Sequence, residues 1–138
     1  MTATSQRILA TLPRLRREAE ALMVDECVVK RATGETELVD YEPVPVYETV
    51  YEGRCKIGGD RPHETPVIVG AAASVIVQRH IVHLPVAAGP FDDGDVVTIT
   101  AALTQPHLVG NVYRIAGADE RSLQTSQRMY VDILGGGA

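Results

Sequence analysis

Three aspartates, Asp92, Asp93 and Asp95, stand around Gly94 in the stretch GPFDDGDVVTITA. Carboxylates at such short spacing could bind a divalent cation, because Ca²⁺ and Mg²⁺ take oxygen ligands. A calcium loop of the EF-hand type, however, needs oxygen ligands at alternate positions over about twelve residues and a closing glutamate. No acidic residue follows Asp95 until Asp119. The spacing therefore predicts a solvated turn that leads into a strand, and no metal ligands.

The histidines and cysteines do not form a catalytic or metal-binding pattern either. His80 and His83 lie three residues apart in an apolar run, where strand alternation would point them to opposite faces of a sheet. Cys27 and Cys55 lie in separate apolar runs without CxxC spacing, and we expect them to be buried free thiols. The sequence contains no GxSxG elbow and no glycine-rich phosphate loop before a helix. We therefore predict no catalytic residue, no cofactor and no metal site, and a protein that is not an enzyme.

The composition favours a β-rich domain over a helical bundle. Apolar residues form 45% of the 138 residues, but there is no Trp and one Phe, so the core must be mainly aliphatic. The net charge of −5 argues against binding to nucleic acid through neutralisation of phosphates. The sequence shows neither the apolar run of a signal peptide nor a membrane-spanning stretch, which predicts a cytoplasmic protein without membrane contact.

Charge is distributed unevenly along the chain. Residues 1–17 carry four arginines and no acidic residue. Residues 35–52 carry no basic residue and six acidic ones, namely Glu35, Glu37, Asp40, Glu42, Glu48 and Glu52. This pattern predicts a basic helix at the start of the chain and an acidic loop after the first strand.

Apolar periodicity predicts one helix followed by strands. Apolar residues at helical spacing predict a helix over residues 11–23 with Thr11 as its N-cap. Alternation then predicts strands at residues 26–31, 48–57, 74–84, 95–101, 111–116 and 125–134. Proline, glycine and charged residues predict two long loops, at residues 33–47 and 58–73. We expect a single domain, residues 1–138, that is mainly β: a small antiparallel β-barrel of about six strands over residues 25–134, with an N-terminal α-helix and two long loops.

The order of five segments resembles a known protein family. The segments are AEALMVDECVVKR, YETVYEGRCKI, VIVQRHIVHLP, FDDGDVVTITA and HLVGNVYRIAG. From about Ala19 to Ala116 the chain is similar to the head-closure (stopper) proteins at the head-to-tail connector of long-tailed bacteriophages, especially those that infect actinobacteria. The resemblance implies a helix-decorated β-barrel that assembles as a homo-oligomeric ring, sixfold or twelvefold, below the portal and its adaptor. Such a ring closes the DNA-filled head and docks the tail.

The resemblance also implies partners and a location, and charge and loop length suggest candidate sites within such a ring. The partners would be the portal-side adaptor protein, the tail terminator or tail tube protein, and packaged DNA that passes without sequence-specific binding. The protein would be located in the neck of the virion, after assembly in the host cytoplasm. The wall of a DNA channel should repel phosphate, and the candidate lining residues are Glu35, Glu37, Asp40 and Glu42. The candidate contacts to subunits or partners are Arg14, Arg16, Arg17, Asp60, Arg61 and His63.

Two other interpretations stay open at this point. The chain could be another ring component of the neck or tail, either an adaptor or a tail terminator, since these proteins also combine small β-domains with helices. It could also be a small β-barrel enzyme or ligand-binding domain. That second class requires an enclosed polar pocket with perturbed titratable groups, whereas the predicted strand faces carry aliphatic side chains.

Overall fold

The computed structural model describes residues 2–59, 63–67, 73–77 and 80–135. Within these residues there is one α-helix, α1 (Ala3–Ala21), and one short 3-10 helix, η1 (Pro106–Leu108). The strands are β1 (Asp25–Val39), β2 (Glu42–Gly59), β3 (His63–Val67), β4 (Ala73–Val77), β5 (His80–Leu84), β6 (Val96–Ala101), β7 (Val112–Asp119) and β8 (Gln127–Gly135).

Six of the strands form an antiparallel sheet that closes on itself. The strand order is β1-β2-β5-β8-β7-β6, and β6 pairs back with β1. We call these six strands the closed sheet. Strands β3 and β4 form a separate antiparallel pair. The prediction of a mainly β fold, with about six antiparallel strands and an N-terminal helix, is confirmed.

The interior of the closed sheet is filled by side chains that alternate along its strands. Most of them are aliphatic, as the composition predicts, and Tyr113 is the largest fully buried one. Burying one large apolar side chain contributes roughly 1.5–3 kcal/mol. The core cluster consists of Cys27, Val29, Cys55, Val82, Leu84, Val97, Ile99, Tyr113, Ile115, Met129 and Val131. The described interior is therefore a packed hydrophobic core.

Helix α1 begins earlier than the apolar periodicity predicts. Its N-cap is Thr2, whose side-chain oxygen accepts a hydrogen bond from the Ser5 backbone N–H at 3.2 Å. Thr11, the predicted N-cap, instead lies inside the helix and donates its hydroxyl hydrogen to the Arg7 carbonyl at 2.9 Å. Pro13 is therefore an interior proline, which removes one helical hydrogen bond. The predicted start was wrong because Ile8 and Leu9 are exposed and do not extend the buried stripe, which begins only at Leu12.

The predicted loop over residues 33–47 is wrong. This segment forms the outer part of the β1–β2 hairpin, in which Thr36 pairs with Pro45 and Leu38 pairs with Pro43. Proline is tolerated in an edge strand, because a backbone nitrogen that points away from the paired strand needs no hydrogen-bond partner. The two prolines therefore do not interrupt the strand.

The second predicted loop, residues 58–73, is wrong in part. Strand β2 extends to Gly59, and β3 pairs with β4, with His63 opposite Val77. Residues 60–62 and 68–72 lie outside the described residues. The single strand predicted over residues 74–84 corresponds to β4 and β5, and residues 78–79 between them are also outside the described residues.

Candidate functional site

The aspartate cluster before β6 is organised around a buried ion pair. Asp95 is 1% exposed, and its two carboxylate oxygens accept hydrogen bonds from Nε and Nη2 of Arg31, both at 2.9 Å. The same carboxylate accepts a hydrogen bond from the Asp92 backbone N–H at 2.8 Å. The hydrogen bond to Asp95 raises the pKa of Arg31. We call this Arg31–Asp95 pair the clamp. The sequence predicted that Asp95 would be a solvated turn residue. It is instead a buried structural anion.

The clamp fastens three segments of the chain to one another. Arg31 lies where β1 leaves the closed sheet, and its Nη2 also donates to the Pro90 carbonyl at 3.1 Å. The backbone of Asp95 accepts a hydrogen bond from Ile115 N–H on β7 at 2.8 Å. The clamp thus joins β1 to the loop that precedes β6, and the backbone of Asp95 joins this loop to β7. Sequence reasoning missed the pair because 64 residues separate its two members.

No cluster of metal ligands is present in the part of the chain that the structure describes. No three His, Cys, Asp or Glu side chains there lie close enough to hold an ion. The ring of His80 lies 6.1 Å from that of Tyr113, a core residue, when ring centroids are compared. His83, three residues further along β5, lies on the other face, as alternation predicts.

The two cysteines are buried free thiols, as predicted. A hydrogen bond with Cys27 and burial in the core both raise the pKa of the Cys55 thiol. A raised pKa disfavours the thiolate, which is the nucleophilic form of cysteine. Cys27 and Cys55 therefore act as small core side chains.

The outer part of the β1–β2 hairpin has no neighbour among the described strands. Strand β6 pairs with β1 from Glu26 to Lys30, and β5 pairs with β2 from Lys56 to Gly59. Residues 32–48 extend beyond both pairings as a two-stranded ribbon, which we call the arm. At about 3.3 Å per residue, the seven residues that β2 contributes give the arm a length of roughly 23 Å.

The register divides the side chains of the arm between two faces, because directly paired residues share a face. Glu37 pairs with Val44, and Val39 pairs with Glu42. We call this side the acidic face; alternation assigns to it Glu35, Glu37, Val39, Glu42, Val44, Val46 and Glu48. We call the other side the apolar face; it carries Leu38, Pro43, Pro45 and Tyr47.

Three of the four predicted channel-lining residues therefore lie together. Glu35, Glu37 and Glu42 share the acidic face, and Asp40 lies in the turn at the tip of the arm. The prediction that these carboxylates line a DNA channel concerns an assembled ring and stays a prediction.

The tip of the arm combines an unfavourable backbone with an exposed aromatic ring. Asp40 and Tyr41 form the two-residue turn, and both have positive φ, 52° and 67°. A type I′ turn requires this conformation and prefers Asn, Asp or Gly. For a residue with a bulky side chain, the left-handed conformation costs about 1–2 kcal/mol. Tyr41 is nevertheless present and is 97% exposed. Unfavourable conformations of this kind concentrate at functional sites.

Three basic side chains lie in a row at the opposite end of β2. Lys56 on β2 pairs directly with His83 on β5, and His83 pairs directly with Arg128 on β8. All three point outward, because the residues flanking them on their strands include members of the core. We call these three residues the basic row. A cavity of about 190 Å³ adjoins the row, and its wall also includes Ala19, Leu22, Met23, Thr125 and Ser126.

The basic row lacks a carboxylate partner among the described ion pairs. Asp119 is the register partner of Arg128 on β7, but its carboxylate accepts a hydrogen bond from Arg121 Nε at 3.0 Å. The Ser126 hydroxyl lies 3.5 Å from His83 Nδ1. Lys56 and Arg128 thus lie on either side of His83, and no carboxylate stands between them. The row is therefore a site where an anionic partner would be favourable.

His83 should make the stability of the chain depend on pH. Burial, and then the charges of Lys56 and Arg128, lower the pKa of His83 from its usual 6.5. The unfolded chain takes up this proton near 6.5, whereas the folded chain takes it up only at lower pH. The free energy of unfolding should consequently fall as the pH drops below about 6.5 and be unaffected by His83 well above it.

Replacing His83 by glutamine should flatten this fall. Urea unfolding at about pH 7.5 and about pH 5.5 would measure the difference in stability for the wild type and for His83→Gln. His107→Gln is the matched control, because His107 is an exposed histidine on η1, and it should keep the wild-type dependence. Equal pH dependence in the wild type and in His83→Gln would contradict the prediction.

The three predicted interface arginines of α1 differ in their contacts. Arg16 Nε donates to the Gln124 carbonyl at 3.1 Å and so attaches the helix to the turn between β7 and β8. Arg14 lies 3.9 Å from Glu18, and an exposed pair of this kind contributes little to stability. Arg17 is exposed. Arg16 thus has a role within its own chain, which the sequence did not indicate.

The other three predicted contact residues are Asp60, Arg61 and His63. Asp60 and Arg61 lie outside the described residues, and His63 is the first residue of β3. A partner role for these residues, and for Arg14 and Arg17, stays a prediction.

Helix α1 also carries exposed apolar residues on one stripe. Ile8 and Leu15 in α1 and Leu22 at its C-cap follow one another at intervals of seven residues, which places them on the same side of the helix. All three are exposed, whereas Leu12 between them is buried. We call Ile8, Leu15 and Leu22 the helix stripe.

One protein-family model matches most of the chain. The model, described as a family of unknown function (DUF6093), matches residues 15–132. The chain belongs to the DUF6093 family. No curated protein and no solved structure matches it. The clamp, the arm and the basic row all lie inside the matched residues, so they are features of the DUF6093 region itself.

Within the described range, no helix has the length and apolarity needed to cross a membrane.

Proposed function

We propose that this DUF6093 protein is a structural component of the neck of a long-tailed bacteriophage. Copies of it would form a ring below the portal and its adaptor, close the DNA-filled head and dock the tail. The observation that carries the proposal is the arm, a ribbon about 23 Å long that extends from a closed sheet and exposes apolar side chains on both faces.

The arm has the properties of an element that another subunit binds. A two-stranded ribbon is at best marginally stable in water when no further strand or helix packs against it. Leu38 is 75% exposed and Tyr47 is 50% exposed. Contact with a second subunit would remove these side chains from water and would stabilise the ribbon at the same time. The arm therefore supports an assembling protein.

The closed sheet supports a scaffolding role in a different way. Its described interior is packed with aliphatic side chains, so the polar groups available for recognition are on the outside. Ligand-binding and catalytic sites are usually concave pockets with a few converging polar groups. The surfaces that this chain offers are instead a ribbon, a helix stripe and a basic row.

A ring requires two different contact surfaces on each subunit, because a heterologous interface joins one patch to another patch on the next copy. The arm and the body of the closed sheet could supply these two patches. The helix stripe offers a further apolar surface, suited to a partner above or below the ring, either the portal-side adaptor or the tail terminator. Sequence resemblance to head-closure proteins supports the same arrangement.

Localisation in phage particles tests the proposed function. Antibodies against the purified chain would be used for immunogold labelling of particles from the phage that encodes it, with antibodies against the tail tube as the control. We expect gold at the head–tail junction, and also on DNA-filled heads from a mutant that makes no tails. The second result separates a head-closure protein from a tail terminator, which tailless heads should lack. Absence of the chain from purified particles, or label on the capsid shell or the distal tail, would overturn the proposal.

A further inference from the structure

Strand β2 has opposite charges at its two ends. Glu42 and Glu48 lie in the arm at its beginning, and Lys56 lies in the basic row near its end. The acidic face adds Glu35 and Glu37 from β1 to the first end, and the basic row adds His83 and Arg128 to the second. Each subunit therefore has an acidic pole and a basic pole.

These two poles cannot meet within one chain. Glu42 and Lys56 are on the same continuous strand, and at about 3.3 Å per residue they are roughly 46 Å apart along it. The strand is paired along most of this length, which prevents it from folding back. The two complementary surfaces are available only to different molecules.

We infer that the acidic face of the arm of one copy binds the basic row of the next copy. The contact is head-to-tail, because the two surfaces are different and lie at opposite ends of the subunit, and head-to-tail contacts generate rings when the rotation closes. It would place carboxylates from Glu37 and Glu42 against Lys56 and Arg128, next to the cavity of about 190 Å³ at the end of α1. The inference rests on the proposed function, from which it takes the ring of identical subunits. It adds that the partner of the arm is a second copy of this chain.

Packaged DNA is the other polyanion that could meet the basic row. The arm is favoured because it supplies at least four carboxylates on one face, whereas a chain with a net charge of −5 repels DNA at longer range. This choice assigns the acidic face to a protein contact rather than to the wall of a DNA channel. The experiment below includes DNA binding as an outcome.

Disulfide capture between two engineered chains tests the inference. One chain carries Val44→Cys on the acidic face, and the other carries Leu22→Cys beside the basic row. The native cysteines are fully buried, so they do not compete. The matched control replaces Leu22→Cys by Thr100→Cys, an exposed position on β6, which lies opposite β5 in the closed sheet. We expect the mixed disulfide to form about tenfold faster with Leu22→Cys than with Thr100→Cys, and to slow at high salt.

Charge reversal then tests whether the two faces recognise each other. Glu37→Lys with Glu42→Lys, or Lys56→Glu with Arg128→Glu, should each reduce capture to the rate of the Thr100→Cys control, since like charges would meet. When both chains carry all four substitutions, opposite charges meet again and the rate of disulfide capture should be restored. All four positions are exposed, so the reversals should not disturb the core.

Three results would overturn the inference: equal capture by Leu22→Cys and Thr100→Cys, single reversals without effect, or no restoration in the chain with four reversals. The wild-type chain could also bind duplex DNA and lose this binding in Lys56→Glu/Arg128→Glu. If disulfide capture is unchanged in the same variant, DNA and not the arm is the partner of the basic row. The assay uses purified chain and no phage. A chain that forms the contact but is absent from particles would therefore disprove the proposed function alone, and a neck protein without the contact would disprove the inference alone.

Discussion

Replacing Asp95 by alanine should lower the free energy of unfolding by about 3 kcal/mol. The substitution removes two hydrogen bonds from Arg31 and one from the Asp92 backbone, and hydrogen bonds to charged groups contribute roughly 1.5–3 kcal/mol each. The expected total lies below their sum, because Arg31 is partly exposed and can be hydrated once its partner is gone. The arm should also become less firmly attached, since Arg31 lies at its base.

Urea unfolding monitored by far-UV circular dichroism would measure this loss. Asp93→Ala is the matched control, because Asp93 is an exposed carboxylate in the same cluster, and surface substitutions usually change stability by less than about 0.5 kcal/mol. Asp95→Asn, which keeps the shape but not the charge, should give an intermediate loss. Equal stabilities for Asp95→Ala and Asp93→Ala would show that the clamp does not hold the loop.

Replacing Tyr41 by glycine should change stability and assembly in opposite directions. Glycine adopts the left-handed conformation without steric cost, and Asp-Gly is a preferred type I′ pair, so the isolated chain should gain about 1 kcal/mol. The same substitution removes an aromatic ring that is 97% exposed. If another subunit binds the tip of the arm, loss of this aromatic side chain should weaken assembly by about tenfold or more.

Competition for incorporation would measure the effect on assembly. Wild-type and Tyr41→Gly chains would be produced together during infection, and their ratio in purified particles would be determined by mass spectrometry. Leu123→Gly is the matched control, because Leu123 also has a positive φ, 61°, but lies outside the arm. It should gain stability in the same way and enter particles as well as the wild type. Equal incorporation of Tyr41→Gly would show that the tip is not a contact.

The closed sheet was predictable from sequence because its strands bury one face. Alternation in the stretches that became β5 to β8 fixed which side chains point inward, and Val97 and Ile99 on β6 illustrate this. The arm was not predictable in the same way. Its two faces are both exposed, so there is no hydrophobic alternation against a core, and its prolines and acidic residues are typical of loops.

The candidate sites depend on contacts between distant parts of the chain. The basic row exists only because the register places Lys56, His83 and Arg128 side by side on three strands that are far apart in sequence. The clamp likewise joins Arg31 to Asp95, which are 64 residues apart in sequence. The acidic face was the exception. Glu35, Glu37 and Glu42 are close in sequence, and their charge alone indicated this segment as a candidate site.

Pro43 and Pro45 limit the ways in which the arm can associate. Neither residue has a backbone N–H, so this edge of the ribbon is a poor template for the strand of another molecule. Ribbons without such residues are prone to stack into amyloid-like fibrils, in which any copy can add to any other. Strand pairing along the β2 edge of the arm is thereby disfavoured, and contacts through the side chains of its two faces are favoured instead.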